Sequence, residues 1–97
     1  MEDLETKLKE RNVIGENAKP SESFSDAFKA LSNVFIMLKK DNGYLIDNLS
    51  FNTRIDYQER KYLCSIDISG DKFITLESTQ EKALTKLAFK IYSHYLD

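Results

Sequence analysis

Residues 49–76 read LSFNTRIDYQERKYLCSIDISGDKFITL, and the rhythm of this stretch decides the fold. Leu49, Phe51, Thr53, Ile55 and Tyr57 alternate with Ser50, Asn52, Arg54 and Asp56. A period of two sends successive side chains to opposite faces of a strand, so one face is apolar and the other wet. Gln58-Glu59-Arg60-Lys61 makes a polar turn, after which Tyr62, Cys64, Ile66 and Ile68 resume the alternation. Together the two runs predict an antiparallel hairpin. Ser69-Gly70-Asp71 then turns the chain into Lys72–Leu76, a third strand with weaker alternation.

Two registers of that third strand are open. A two-residue Gly70-Asp71 turn pairs Ile68 with Phe73, placing Phe73 and Thr75 inside and leaving Ile74 and Leu76 outside beside Leu63. A three-residue Ser69-Gly70-Asp71 loop shifts the strand by one and buries Ile74 and Leu76 instead, leaving Phe73 out. Burial of two large aliphatic side chains favours the three-residue loop. In the other register Leu63, Ile74 and Leu76 form an apolar patch on the outer sheet face, which invites a partner.

On the N-terminal side the period is helical. Phe24, Ala27, Phe28, Leu31, Val34, Phe35 and Leu38 fall on one stripe. Ser23 or Ser25 can cap this helix, Asp26 suits its first turn, and Lys39-Lys40-Asp41-Asn42-Gly43 ends it, with Gly43 able to take a left-handed cap. Residues 1–22 form an acidic leader with few anchors, Leu4, Leu8, Val13 and Ile14. It supports at most a short helix over residues 2–11, docked weakly or not at all, and is expected to be dispensable for folding.

On the C-terminal side Ser78-Thr79-Gln80-Glu81 has the spacing of a capping box, with Ser78 as the cap and Glu81 reaching back. The following helix has a core stripe of Ala83, Leu84, Leu87, Ala88, Ile91 and Tyr95, widened by Phe89, Tyr92 and Leu96. The expected fold is α+β: helix, three-stranded antiparallel sheet, helix, both helices on one sheet face, in a single domain over residues 23–97.

Composition narrows the function classes. Ninety-seven residues, 41% hydrophobic and 31% charged, fit one globular domain with one modest core. The first residues lack the basic start and apolar run of a secretory signal, and no apolar stretch approaches a membrane span, so a cytoplasmic location without membrane contact is expected. The net charge is -2. Residues 1–26 hold seven acids and four bases, and residues 27–97 hold nine acids and ten bases, so the acidity lies in the leader. A single cysteine, Cys64, and a single histidine, His94, indicate neither a disulfide nor a metal site, and Cys64 reads as a buried apolar residue of its strand.

No phosphate loop, metal-ligand spacing or nucleophile motif occurs, so no cofactor and no enzymatic activity are expected. Arg54, Asp56 and Asp67 share the wet sheet face, where an exposed ion pair would contribute at most about 1 kcal/mol. Lys82, Lys86 and Lys90 recur every four residues on one face of the last helix. Like charges at that spacing disfavour one another, so the stripe either faces water or meets an anionic partner.

From Tyr62 the pattern Tyr-x-Cys-x-Ile-x-Ile-x-Gly, a further strand, and then Ser78 opening a helix with Lys82-Ala83 and Ala88 resembles the second half of a double-stranded RNA-binding domain. The helix–three strands–helix order is similar over about residues 24–96. The resemblance implies that Lys82 and Lys86 contact phosphates across the RNA major groove, where shape is read. Gln80-Glu81 stand where that family has a lysine pair. Gln58-Glu59-Arg60-Lys61 lacks its groove-reaching Gly-Pro-x-His loop, and the third strand lacks its alternating glycines. Ser25-Asp26-Ala27-Phe28 and Ala83 to Ile91 are also similar to small phage-encoded proteins of the ABA-sandwich type.

The leading expectation is a small non-enzymatic protein-binding module, of the kind that phages and other mobile elements carry as accessory or inhibitory proteins. It would act on a protein partner or on its own copies, with Leu63, Phe73, Ile74 and Leu76 as candidate contacts. The alternative is a reduced double-stranded RNA-binding domain using Lys82, Lys86 and Lys90.

Overall fold

In a computed structural model, residues 2–41, 53–68 and 70–96 are described. The elements run α1 (Glu2–Glu10), α2 (Phe24–Asp41), β1 (Thr53–Gln58), β2 (Lys61–Ile68), β3 (Asp71–Glu77) and α3 (Gln80–Tyr95). The sheet is antiparallel with order β1-β2-β3. The expected Gly43 cap, and Leu49 and Phe51 as the start of the first strand, lie outside the described residues.

The hairpins are tight. Gln58 pairs with Lys61, so only Glu59 and Arg60 make the first turn, and both adopt positive φ, 48° and 65°. A two-residue hairpin turn with two left-handed residues matches the strand twist, but side chains with a Cβ strain in it. Ile68 pairs with Asp71, which leaves two residues between β2 and β3, and Gly70 takes φ 92°.

This second turn settles the register of β3 against the expectation. Ile66 pairs with Phe73 and Cys64 with Thr75, so Phe73 and Thr75 point inward while Ile74 and Leu76 point out. The inside-outside pattern is that of the two-residue alternative, although the turn lies one residue earlier and Ile68 faces Asp71, not Phe73. Counting aliphatic area misled because burying Thr75 carries no polar penalty: its hydroxyl donates to the Ala83 carbonyl at 2.8 Å. Phe73 brings the larger apolar surface, and only 9% of it remains exposed.

α3 is the centre of the packing. It lies against β2 and β3, against α2 and, more lightly, against α1. An arc that meets three neighbours must be broad, and Ala83, Leu84, Thr85, Leu87, Ala88 and Ile91 are all buried. Buried Thr85, absent from the expected stripe, donates its hydroxyl to the Glu81 carbonyl one turn back at 2.7 Å. The cap is Thr79, one residue later than expected. Its side chain accepts the Lys82 amide at 3.2 Å, and with a lysine at that third position no carboxylate returns the bond.

α2 begins as expected after Ser23, whose hydroxyl accepts the Asp26 amide at 3.3 Å. Ala27, Ala30, Leu31, Val34, Phe35 and Leu38 enter the core shared with Cys64, Ile66, Ile68 and Phe73. The buried stripe is rotated toward Ala30. Phe24 and Phe28, expected inside, are exposed and stack on each other at 6.2 Å between ring centroids.

The leader is firmly docked, contrary to the weak docking expected of it. Leu8, Val13 and Pro20 are buried with Ile14. The reason is a helix stop that the sequence contains. Asn12 takes φ 60°, the Val13 amide donates to the Leu8 carbonyl at 2.9 Å, and the Asn12 amide donates to the Lys9 carbonyl at 3.1 Å. This is a Schellman end, in which the residue after the left-handed position packs on the last helical turn. Three further ties hold the segment. Asn33 Nδ2 on α2 donates to the Val13 carbonyl at 2.8 Å, the Ser21 amide and hydroxyl both donate to Glu5 Oε1, and Lys7 and Arg11 lie over the Phe89 ring of α3.

Candidate interaction surface

Because β3 turns Ile74 and Leu76 outward, one face of the sheet is filled and, among the described residues, no helix packs on the other. Ile74 is 45% exposed and Leu76 43%. Leu63 on β2 is half-buried and stands directly across the ladder from Leu76, with Ile74 one step along the same face opposite Ser65. Of the four candidate contacts, the structure thus brings Leu63, Ile74 and Leu76 together. Phe73 lies on the opposite face, against His94 and Tyr95 of α3 at centroid distances of 5.3 and 6.0 Å.

The lysines follow the open edge of β3. Lys86 Nζ lies 3.5 Å from Glu77 Oε2 at the end of that strand, and Lys90 Nζ donates to the Ile74 carbonyl at 2.9 Å. Lys82, half-buried, supplies its amide to the cap. Two members of the stripe therefore have partners on β3, and Glu77 interrupts the positive surface. Lysine beside an edge strand is a common guard against unwanted strand pairing.

Beside this edge, Phe73, Phe89, Lys90, Ser93 and His94 line a shallow groove of about 380 Å³. At one end Asp71 gathers two polar groups: the Tyr95 hydroxyl donates to its Oδ2 at 2.7 Å, and His94 Nε2 lies 3.6 Å from the same oxygen. Sequence reasoning left His94 alone because its partner comes from β3 and not from its own helix. A second hollow of about 390 Å³ lies between the leader and α2, lined by Ile14, Asp26, Lys29 and Asn33 among others.

The register separates the two carboxylate positions of the wet sheet face. Asp67 pairs with Lys72 and Asp56 with Leu63, four residues apart along β2, so their backbone positions are separated by about 13 Å along the strand direction at the usual rise per residue. Arg54 faces Ser65 in the pairing. Cys64 is fully buried, and burial pushes its thiol up to about 11. Among the described residues no group of three or more His, Cys, Asp or Glu is placed to hold a metal ion, and no helix is long and apolar enough to cross a membrane.

Sequence reasoning also missed the basic residues contributed by the leader. Arg11 lies 5.9 Å from the Phe89 centroid and 5.8 Å from that of Tyr92, with Lys7 at 5.4 Å from Phe89. The four-residue spacing of Lys7 and Arg11 was a readable sign of one helix face. Comparison with family models, with curated proteins and with solved structures gave no match for this chain.

Proposed function

We propose that this chain is a protein-binding module without catalysis, and that it meets its partner at the β3 side of the sheet through Leu63, Ile74 and Leu76. The observation that carries this reading is the outward turn of β3, which exposes two large aliphatic side chains beside a third while the inner face already has a complete core. Large apolar side chains grouped on an exposed sheet face mark contact surfaces more often than isolated ones do. An accessory or inhibitory protein of a phage or other mobile element would suit this architecture.

The resemblance to double-stranded RNA-binding domains extends to the α-β-β-β-α order, but the phosphate-contacting role ranks second. Lys86 is drawn to Glu77 and Lys90 to a backbone carbonyl, so the stripe offers a broken positive surface. Non-specific RNA binding weaker than about 10⁻⁶ M at physiological salt is the expected ceiling.

The test is affinity capture from the native host lysate, with and without nuclease, using the wild type and an Ile74→Lys/Leu76→Lys double variant whose melting curve matches the wild type. A protein captured by the wild type, lost by the variant and indifferent to nuclease supports the reading. Capture that survives the double substitution, or that nuclease abolishes, overturns it.

A further inference from the structure

The edge of β3 combines three features that a single occupant would satisfy. β3 ends the sheet, and its two-residue turn makes Ile68 and Asp71 a hydrogen-bonded pair, so the backbone groups of Phe73 and Thr75 face β2. By alternation the N–H and C=O groups of Lys72, Ile74 and Leu76 face the open side, and Lys90 reaches the Ile74 carbonyl from there. On the outer face, Ile74 and Leu76 are exposed beside that edge. On the inner side, the Phe73–Phe89 groove opens next to the same strand.

We infer that β3 accepts an extended segment of a partner protein as a fourth strand, with aliphatic residues alternating with acidic ones. This rests on the protein-binding reading and names the form of the partner. Alternate side chains of an added strand lie on opposite faces, so one set extends the Ile74–Leu76 surface. The other set faces α3, where an apolar residue fills the groove and carboxylates meet Lys86 and Lys90.

Charge selects the occupant. Lys86 and Lys90 line the edge; Glu77 is matched by Lys86, Asp71 by the Tyr95 hydroxyl and His94, and Lys72 stands opposite Asp67 on the outer face. An arriving backbone must displace the Lys90 ammonium from the Ile74 carbonyl, and a carboxylate on the arriving strand gives that ammonium a stronger, charge-assisted partner. A second copy of β3 laid antiparallel about a two-fold axis at Ile74 would instead bring each Lys90 ammonium against its own copy. The edge therefore disfavours self-pairing and favours an acidic strand.

The test titrates the full ¹⁵N-labelled chain with a synthetic peptide alternating valine and glutamate, the central glutamate replaced by phenylalanine. Two companion peptides carry lysine for every glutamate, or N-methyl groups on the amides that would face β3. Saturable shifts centred on the amides of Lys72, Ile74 and Leu76, with slowed exchange, are expected from the first peptide. The lysine peptide should not bind, and N-methylation should weaken binding by at least about tenfold, because backbone hydrogen bonds are lost while side chains are kept. Equal binding of the N-methylated peptide, shifts confined to other faces, or no saturation by millimolar peptide would overturn strand addition. Sedimentation of the chain alone gives the remaining arm: a dimer with those same amide shifts replaces the acidic segment by a second copy. If the lysate partner is lost from Ile74→Lys/Leu76→Lys while N-methylation changes nothing, the face is the contact and the added strand is wrong. If that partner is kept, the protein-binding reading itself fails.

Discussion

Phe73 and Ile74 are neighbours with opposite fates, and single substitutions separate them. Phe73→Ala removes a ring that is nearly fully buried and should cost about 3 kcal/mol in denaturant unfolding, while Ile74→Ala and Leu76→Ala should each cost less than about 1 kcal/mol. Reversed costs would place β3 in the other register. Thr75→Val keeps the volume but deletes the bond to the Ala83 carbonyl, for an expected loss of about 1 kcal/mol. The sequence displayed both registers without ranking them correctly, because the deciding partner of Thr75 lies in a helix that begins after the sheet ends. Cys64 was readable from its strand pattern alone. Burial raises its thiol from 9.0 to about 11, so the native state holds the proton more tightly than the unfolded chain does. Its stabilising effect is therefore present below pH 9 and is lost as the pH rises toward 11. At neutral pH a thiol-directed alkylating reagent should label Cys64 only at the rate of unfolding, and rapid labelling of the folded chain would show an opened sheet.

At the scale of elements, the periods of two and 3.6 were sufficient to find β2, β3, α2 and α3, since each buries one face against a neighbour. Turns and caps were less legible because they depend on backbone angles that composition only biases. Glu59 and Arg60 both sit at positive φ, where asparagine and glycine are the favoured residues. Glu59→Asn combined with Arg60→Gly should stabilise the protein by about 1–2 kcal/mol, read as a higher melting temperature with an unchanged fold. A fall would mean that these side chains make contacts worth more than their strain. The cap of α3 is tested the same way: Thr79→Ala should cost about 1 kcal/mol and Ser78→Ala close to nothing. The lysine stripe was visible in the sequence at its true spacing, but its partners on β3 were not, because they belong to another element.

For the whole molecule the leader is the main departure. Four scattered aliphatics suggest a loose tail, but Asn12-Val13 after a short helix spells a stop that folds Val13 back on Leu8. Deleting residues 1–20 should lower the melting temperature by more than about 10 °C, since burying Leu8 and Val13 alone is worth about 3–6 kcal/mol. Docking should also respond to acid. Partial burial pushes the Glu5 carboxyl up, but the bonds from the Ser21 hydroxyl and amide, aided by Lys9, outweigh it and leave the group below its usual 4.5. A carboxyl lowered in the folded state stabilises above its unfolded value and loses that contribution as the pH falls through its folded one. The protection of the Ser21 amide, taken relative to its base-catalysed intrinsic exchange rate, should accordingly fall below pH 4.5 in the wild type and hold there in Glu5→Gln. The central position of α3 has a further consequence, for synthesis. The strands pair through two local turns and can form as they leave the ribosome, but α2 and the inner sheet face have no common surface to close on until Leu84, Leu87 and Ile91 emerge. During that interval Leu31, Val34, Phe35, Ile66 and Phe73 are all open to water, so the emergence of residue 91 from the ribosome is the step that ends the nascent chain's exposure to chaperones and to aggregation.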